Sequence, residues 1–389
     1  MLASALLPGC YAGVPDQPEQ RPALDGGLPL VAPPDVAAFP NIVALPLGLT
    51  FTPLGLVVGD FDGDGDLDLL LTGSDMGGVD SAMLRGHGDG TFAAPMSPGL
   101  GGCSAFPIVG SITEDDHDDV LLPGCANNVV VYAGRPNGSV SLWGGPEGTY
   151  ASISTMAVRD FEGDGDNDLF VLTHLFGEPR IDIALGAEGR GFWQRVVTDF
   201  EDVDGFTPTQ LALGHFDGDG LVDVMLAEAD LDVAWAFGER SGRFVLPMGL
   251  GVDVPPRSLH VGDMDGDGLD EVVVVGYSDP SLQILSPDGA GGLDYGTPVD
   301  LPGFAPYDVA LGDFDGDGDL DVAMVDDTQP AVQWIAGDGA GGLGATQSFA
   351  LATPAVRIHA GDFDGDGLDD LVVATFADGS VTLLMSTPP

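Results

Sequence analysis

Seven segments of nine residues place acids at fixed offsets along this chain. Asp60–Asp68 reads DFDGDGDLD, Asp160–Asp168 DFEGDGDND, His215–Asp223 HFDGDGLVD, Asp263–Glu271 DMDGDGLDE, Asp313–Asp321 DFDGDGDLD and Asp362–Asp370 DFDGDGLDD. A seventh, eroded copy is Ser111–Asp119, SITEDDHDD. Carboxylates at the first, third and fifth positions of a turning backbone converge on one point. The glycine at the sixth position, Gly65 in the first copy, permits the sharp turn at positive φ. The seventh residue offers its main-chain carbonyl, and the acid at the ninth can bind in bidentate fashion. All these donors are hard oxygens, which favours calcium over zinc or copper. Two carboxylates about 4 Å apart repel by roughly 4 kcal/mol at an effective dielectric of 20, so a loop with four converging acids calls for a divalent cation.

The expected metal ligands are Asp60, Asp62, Asp64, Asp66 and Asp68 in the first loop and Asp160, Glu162, Asp164, Asp166 and Asp168 in the third. In the fourth they are Asp217, Asp219 and Asp223, and in the fifth Asp263, Asp265, Asp267 and Glu271. The sixth contributes Asp313, Asp315, Asp317, Asp319 and Asp321, and the seventh Asp362, Asp364, Asp366 and Asp370. Together they predict about six calcium ions. His215 replaces the first acid of the fourth copy, so that site should be weaker. The second copy keeps Asp115 and Asp119 but has Ser111, Thr113 and His117 elsewhere, and is expected to hold no ion.

The copies start 51, 49, 55, 48, 50 and 49 residues apart. An apolar segment precedes each, such as Leu54–Gly59 or Tyr307–Gly312, and a run rich in Val, Leu and Ile follows, such as Leu67–Leu71 or Val222–Leu226. A third run comes after a short turn (Val129–Tyr132, Val332–Ile335), and a fourth, weaker one near Phe92, Val140, Phe192 and Phe244. Four short strands per unit of about fifty residues predict an all-β, seven-bladed β-propeller of four-stranded antiparallel blades. The last unit stops after its third strand, Val381–Met385, while Phe39–Pro46 resembles a spare fourth strand. Pairing the two would close the ring and hide its sheet edges. The expected organisation is a lipoprotein signal remnant over 1–10, a Pro/Gly-rich tether over 11–37 and the propeller over 38–389.

The loops with their flanking strands resemble the FG-GAP/VCBS repeat family, which includes the propellers of integrin α subunits. Gly59–Asp68, Gly312–Asp321 and Gly361–Asp370 look like its repeat signature, and the likeness covers about residues 38 to 386. The resemblance implies the propeller fold, calcium in the loops and an extracellular or cell-surface setting. It implies no single activity, because the family spans adhesion subunits, lectin-like proteins and accessory domains of secreted enzymes.

The chain has 62 acidic residues against 11 basic ones, all arginine, and a net charge of −51. Such a surface repels nucleic acid and anionic lipid heads, which excludes both as partners. Cys103 and Cys125 flank the eroded second loop and are expected to lie nearly opposite each other on its first and second strands. A disulfide there would pin the hairpin that lacks an ion, contributing roughly 3 kcal/mol; two buried free thiols are the plain alternative. Leu6-Leu7-Pro8-Gly9-Cys10 resembles the end of a bacterial lipoprotein signal, with Cys10 the lipidated residue, although Pro8 is unusual there and no basic residue precedes it.

No Gly-x-Ser-x-Gly elbow, His-Glu-x-x-His or phosphate-binding loop occurs. Of the 62 acids, 28 already sit in the six good loops, which leaves fewer for acid–base pairs. His260 and His359 share one repeat position, on the innermost strand three residues ahead of their loops, facing the channel or packed between blades. Trp235 and Trp334 share the third-strand position of Met83 and Ile183 and read as core, whereas Trp143 and Trp193 are the candidates for exposed aromatics. The expected function is a non-catalytic, monomeric binding or adhesion module for a protein or glycan, extracellular, at the cell surface or periplasmic. Its only membrane contact would be the lipid anchor. The alternative is a secreted polysaccharide lyase or hydrolase, which would show Arg, His and Tyr clustered at one rim. The ligand rim should be the one opposite the acidic loops, and its longest connection is Thr198–Pro208.

Overall fold

The computed structural model describes residues 39–387, except 40, 46, 48, 50, 76–77, 102–105, 114, 176–177, 188–190, 193, 200–205, 229–231, 246–247, 277–279, 290 and 376–378. The expected signal, tether and lipidated Cys10 therefore lie outside the described residues, as do Cys103, Trp193 and the middle of Thr198–Pro208. The described residues form an all-β propeller of seven blades and contain no helix.

Each blade is an antiparallel sheet whose strands follow one another in the chain. Blade I comprises Pro53–Gly59, Asp68–Asp75 and Gly78–Leu84. Blade II comprises Ile108–Gly110, Asp119–Pro123, Val129–Ala133 and Ser141–Gly144. Blade III runs from Ser152–Arg159 through Asp168–Leu175 and Glu178–Leu185 to Gln194–Asp199. Blade IV contains Gln210–Gly214, Asp223–Ala227, Asp232–Ala236 and Met248–Gly251. Blade V begins with Pro256–Gly262, Glu271–Gly276 and Ser281–Pro287, and both Leu293–Tyr295 and Val299–Asp300 pair with the last of these. Blade VI has Asp308–Gly312, Asp321–Val325, Ala331–Gly337 and Leu343–Ala350. Blade VII has Ala355–Gly361, Asp370–Thr375 and Val381–Met385, and Asn41–Leu45 pairs antiparallel with the third of these, Ile42 opposite Leu384.

The outer strands depart from expectation in two places. Around Phe92 blade I has only isolated bridges, Gly86 to Phe92 and Met83 to Met96, so its sheet has three strands. Phe244 belongs to a separate hairpin, Gly238–Glu239 with Arg243–Phe244, and the fourth strand of blade IV is Met248–Gly251. Outer strands carry the weakest apolar alternation, because one edge faces solvent, so their limits are the least legible in sequence. Cys125 lies in the turn after Asp119–Pro123, not on the second strand.

The seven first strands lie side by side in cyclic order, with that of blade VII against that of blade I. Seven apolar clusters fill the seven spaces between neighbouring blades, so the core lies between sheets and is itself cyclic. Trp235 and Trp334 are core residues, each 2% exposed. The second position of every loop supplies one plug to the space toward the next blade: Phe61, Ile112, Phe161, Phe216, Met264, Phe314 and Phe363, all buried. Full burial of such a side chain stabilises by about 2 kcal/mol, so the acidic loops are anchored from below by the core.

Candidate metal centres

Every loop joins the first strand of its blade to the second, so the seven lie at one end of the molecule. The glycines at the fourth and sixth positions are left-handed, for instance Gly63 at φ 73° and Gly65 at φ 90°, a conformation that costs a side chain dearly. That fold-back brings the acid at position one over two backbone amides. Asp60 accepts from Gly63 N at 2.7 Å and Gly65 N at 2.9 Å. The same pair of bonds recurs at Asp160, Asp263, Asp313 and Asp362.

Four loops bring carboxylate oxygens from positions one, three and nine within 4.8 Å of one another: Asp60, Asp62 and Asp68; Asp263, Asp265 and Glu271; Asp313, Asp315 and Asp321; Asp362, Asp364 and Asp370. The acid at position nine is the buried floor. One oxygen of Asp321 accepts from Phe314 N at 3.0 Å and the other from Gly337 N at 2.8 Å. Asp68, Asp168, Asp223 and Asp370 are held in the same way. The ninth acid thus both braces the loop through backbone amides and turns an oxygen toward the acids at positions one and three.

Position five carries a turn-forming bond. Asp64, Asp164, Asp219, Asp267, Asp317 and Asp366 each accept from the amide two residues on, at 2.8 to 3.1 Å, and lie outside the three-acid groups. At position seven, Asp66 and Asp319 lie against Gly88 and Gly339, away from those groups. Asp166, at the same position of the third loop, likewise belongs to no such group.

Burial, abetted by neighbouring acids, pushes Asp68 up to about 7, Glu271 to about 7 and Asp321 to about 7. Asp223 and Asp370 rise to about 6 by burial. Burial also raises Asp62, Asp263, Asp315 and Asp364, each with fellow loop acids adding to the rise. Converging hard oxygens that hold their protons too tightly suit a divalent cation, which would displace the protons.

The loops are not equivalent. In the first, Arg85 forms an ion pair with Asp62 and reaches to 3.5 Å from Asp64, an arginine placed where a cation would compete with it. In the third, burial pushes Asp168 up to about 8, with Glu162 beside it adding to the rise, and Asp160, Glu162 and Asp168 are not among the three-acid groups. In the fourth, His215 turns aside to Arg159 Nη2 at 3.0 Å and Asp270 at 3.6 Å, leaving Asp217, Asp219 and Asp223 without a first-position partner. The second loop replaces charge by hydroxyls: Ser111 Oγ donates to Asp118 at 3.0 Å and Thr113 Oγ1 to Asp119 at 3.1 Å, while His117 pairs with Asp115 at 3.0 Å.

Position eight escaped the sequence reading. Asp118, Asp270 and Asp369 each reach back to the preceding blade and accept from the first amide of its loop, Asp60 N at 2.9 Å, His215 N at 2.8 Å and Asp313 N at 3.0 Å. These carboxylates staple blades I to II, IV to V and VI to VII. The glycine before the loop makes the room, since a Cβ on Gly312 would stand 2.8 Å from Asp369 Oδ2. The available signal was the polar residue at position eight in those copies, against Leu67, Val222 and Leu320 in others.

Residues 215–274, 263–324 and 313–373 each match the FG-GAP-like repeat. These three FG-GAP-like repeats run from the acidic loop of blade IV to the second strand of blade VII. The nine-residue frame carries the pattern beyond the matched span into blades I and III. No curated protein matches the chain. Among solved structures, an Agrocybe aegerita lectin described as recognising non-reducing terminal N-acetylglucosamine is similar, with 15% identity and a TM-score of 0.54, over 87% of this chain and 86% of that one. An exotype rhamnogalacturonan lyase is similar at 16% identity and a TM-score of 0.55, over 91% of this chain and 75% of the lyase. At these identities the likeness shows a shared fold. Within the matched span the repeats place their acidic loops at one end of the molecule.

Proposed function

We propose that this FG-GAP-like propeller is a non-catalytic, calcium-stabilised binding module that works outside the cytoplasm, as an extracellular, cell-surface or periplasmic monomer. Its ligand is a glycan or a surface protein, and it carries about six calcium ions. The observation that carries the reading is the recurrence of three converging carboxylates in one frame in four loops. Extracellular calcium modules bind at about 10⁻⁴–10⁻³ M, which matches exposed, partly hydrated loops of this kind. The lectin among the structural neighbours favours a glycan over a protein. Trp143, 41% exposed on the outer strand of blade II, offers one stacking surface.

A polysaccharide-active enzyme is the second reading. Arg257, Tyr307, Arg357, His260 and His359 all lie on or beside first strands of blades V to VII, the residue types that such chemistry requires. Incubation with pectic polysaccharides separates the two, because a lyase releases unsaturated ends and a module releases nothing. The leading reading is tested by a glycan array and a surface-protein pull-down in calcium and in chelator. Binding that requires calcium supports it, and turnover without retained binding refutes it.

Two covalent features complete the proposal. A disulfide joins Cys103 and Cys125 beside the hydroxyl-braced second loop, and intact-mass analysis showing two alkylatable thiols there would remove it. Cys10 carries a lipid, so Cys10→Ser should abolish metabolic labelling by a fatty acid.

A further inference from the structure

Five residues ahead of each loop stand Gly55, Phe106, Thr155, Gln210, Ser258, Asp308 and Arg357, all on first strands except Phe106, which precedes Ile108–Gly110. Thr155, Gln210, Ser258, Asp308 and Arg357 at this register are all buried. Arg357, on blade VII, has its guanidinium 5.5 Å from the Phe106 ring, which immediately precedes blade II. Blade I stands between them, and its Gly55 has no side chain to obstruct the reach. On the other side the same guanidinium lies 5.6 Å from the Tyr307 ring of blade VI.

Arg357 is 6% exposed and forms no ion pair within 4.0 Å among the described residues. Its guanidinium donates to one neighbouring carbonyl, Val356 O, at 2.7 Å. Asp308, at the same register one blade away, turns an oxygen to Ile358 N at 3.1 Å. His260 and His359 lie two residues deeper, hydrogen-bonded to Ser258 Oγ and Leu56 O, and burial keeps both neutral near pH 7. A buried guanidinium held by one carbonyl and two ring faces still lacks a counter-charge among the described residues, and an arginine fork matches a carboxylate. The approach to it is lined by rings: Arg257 stacks 4.1 Å over Tyr307, and both, like Phe106, are half-buried. This end is where the first strands begin, opposite the acidic loops.

We propose that the axial end of blades II, VI and VII binds a carboxylate-bearing sugar, with Arg357 taking the carboxylate and Tyr307 and Phe106 flanking the pyranose ring. The inference deepens the binding-module reading and rests on it. A carboxylate accepts two parallel N–H bonds from the guanidinium, and the sugar face covers the aromatic rings. Neutral sugars satisfy the rings but leave the charge unpaired.

The test is isothermal titration of the full chain in calcium with a galacturonate trisaccharide, its methyl ester and acetate. The acid should bind at least about tenfold more tightly than the ester, and acetate more weakly than the acid, since a charged hydrogen-bond pair is worth that much. Arg357→Gln should erase the preference for acid over ester while melting no lower than the parent. Tyr307→Ala should weaken acid and ester alike, which keeps the proposal testable should the first variant fail to fold. Equal binding of acid and ester, or a preference that survives Arg357→Gln, overturns the site. Acetate as tight as the sugar overturns the sugar-ring contacts. If no acidic sugar binds while calcium still raises the melting temperature, this inference fails alone. If calcium also leaves melting unchanged, the underlying reading fails with it.

Discussion

Melting the protein at pH 5 and pH 8, in calcium and in excess chelator, should give curves that cross. The argument rests on the floor acids of the loops. Asp68, Glu271 and Asp321 are pushed up to about 7 and Asp168 to about 8 by burial, whereas an unfolded chain ionises its aspartates near 3.8 and its glutamates near 4.5. Between those values and the folded ones, the cation-free fold holds more protons than the unfolded chain. Its stability is therefore full at low pH and falls as pH rises through about 7. Each unit of pH in that window costs about 1.4 kcal/mol per group, or near 3 kcal/mol from pH 5 to 7. Halving this for the water around the outer acids of the same loop leaves about 1.4 kcal/mol per loop and roughly 5 kcal/mol for four. For a chain of this size that is a fall of about 7 °C in Tm. Saturating calcium should reverse the slope, because at pH 5 protons compete with the cation for the same oxygens. Differential scanning calorimetry in about 0.5 M salt reads the effect with surface repulsion screened. Asp321→Asn should remove about 1 kcal/mol of the slope in chelator. A flat or rising Tm in chelator, or calcium without effect at pH 8, would refute the reasoning.

Three further outcomes follow from the geometry. Asp313→Ala should lower the calcium bound per chain by one in equilibrium dialysis, because its loop shares no acid with the others. Phe314→Ala should cost about 3–5 kcal/mol in urea titration, since the ring is fully buried between blades VI and VII. Asp270→Ala should cost about 1–3 kcal/mol by the same assay, for it strips the acceptor from His215 N and leaves Arg159 and His215 facing each other without an acid.

The sequence was most legible where the structure is local. A loop of nine contiguous residues with its glycines carries its own geometry, so the turn at Gly65 and the nearness of Asp313 and Asp315 could be read directly, whereas the third acid of the group proved to be Asp321 and not Asp317. Strand alternation repeated about every fifty residues likewise determined the blade count, and the shared third-strand register placed Trp235 and Trp334 in the core. The column Phe61, Ile112, Phe161, Phe216, Met264, Phe314 and Phe363 was equally local, and its constancy was a signal for interblade plugs. Tertiary structure alone decided what depends on distant partners. The staples from Asp118, Asp270 and Asp369 span 58, 55 and 56 residues, and the His359 bond to Leu56 spans 303. Ring curvature fixes which residue of the next blade arrives beside a given loop, and no local pattern encodes that. The same holds where Arg357 of blade VII comes within 5.5 Å of the Phe106 ring ahead of blade II.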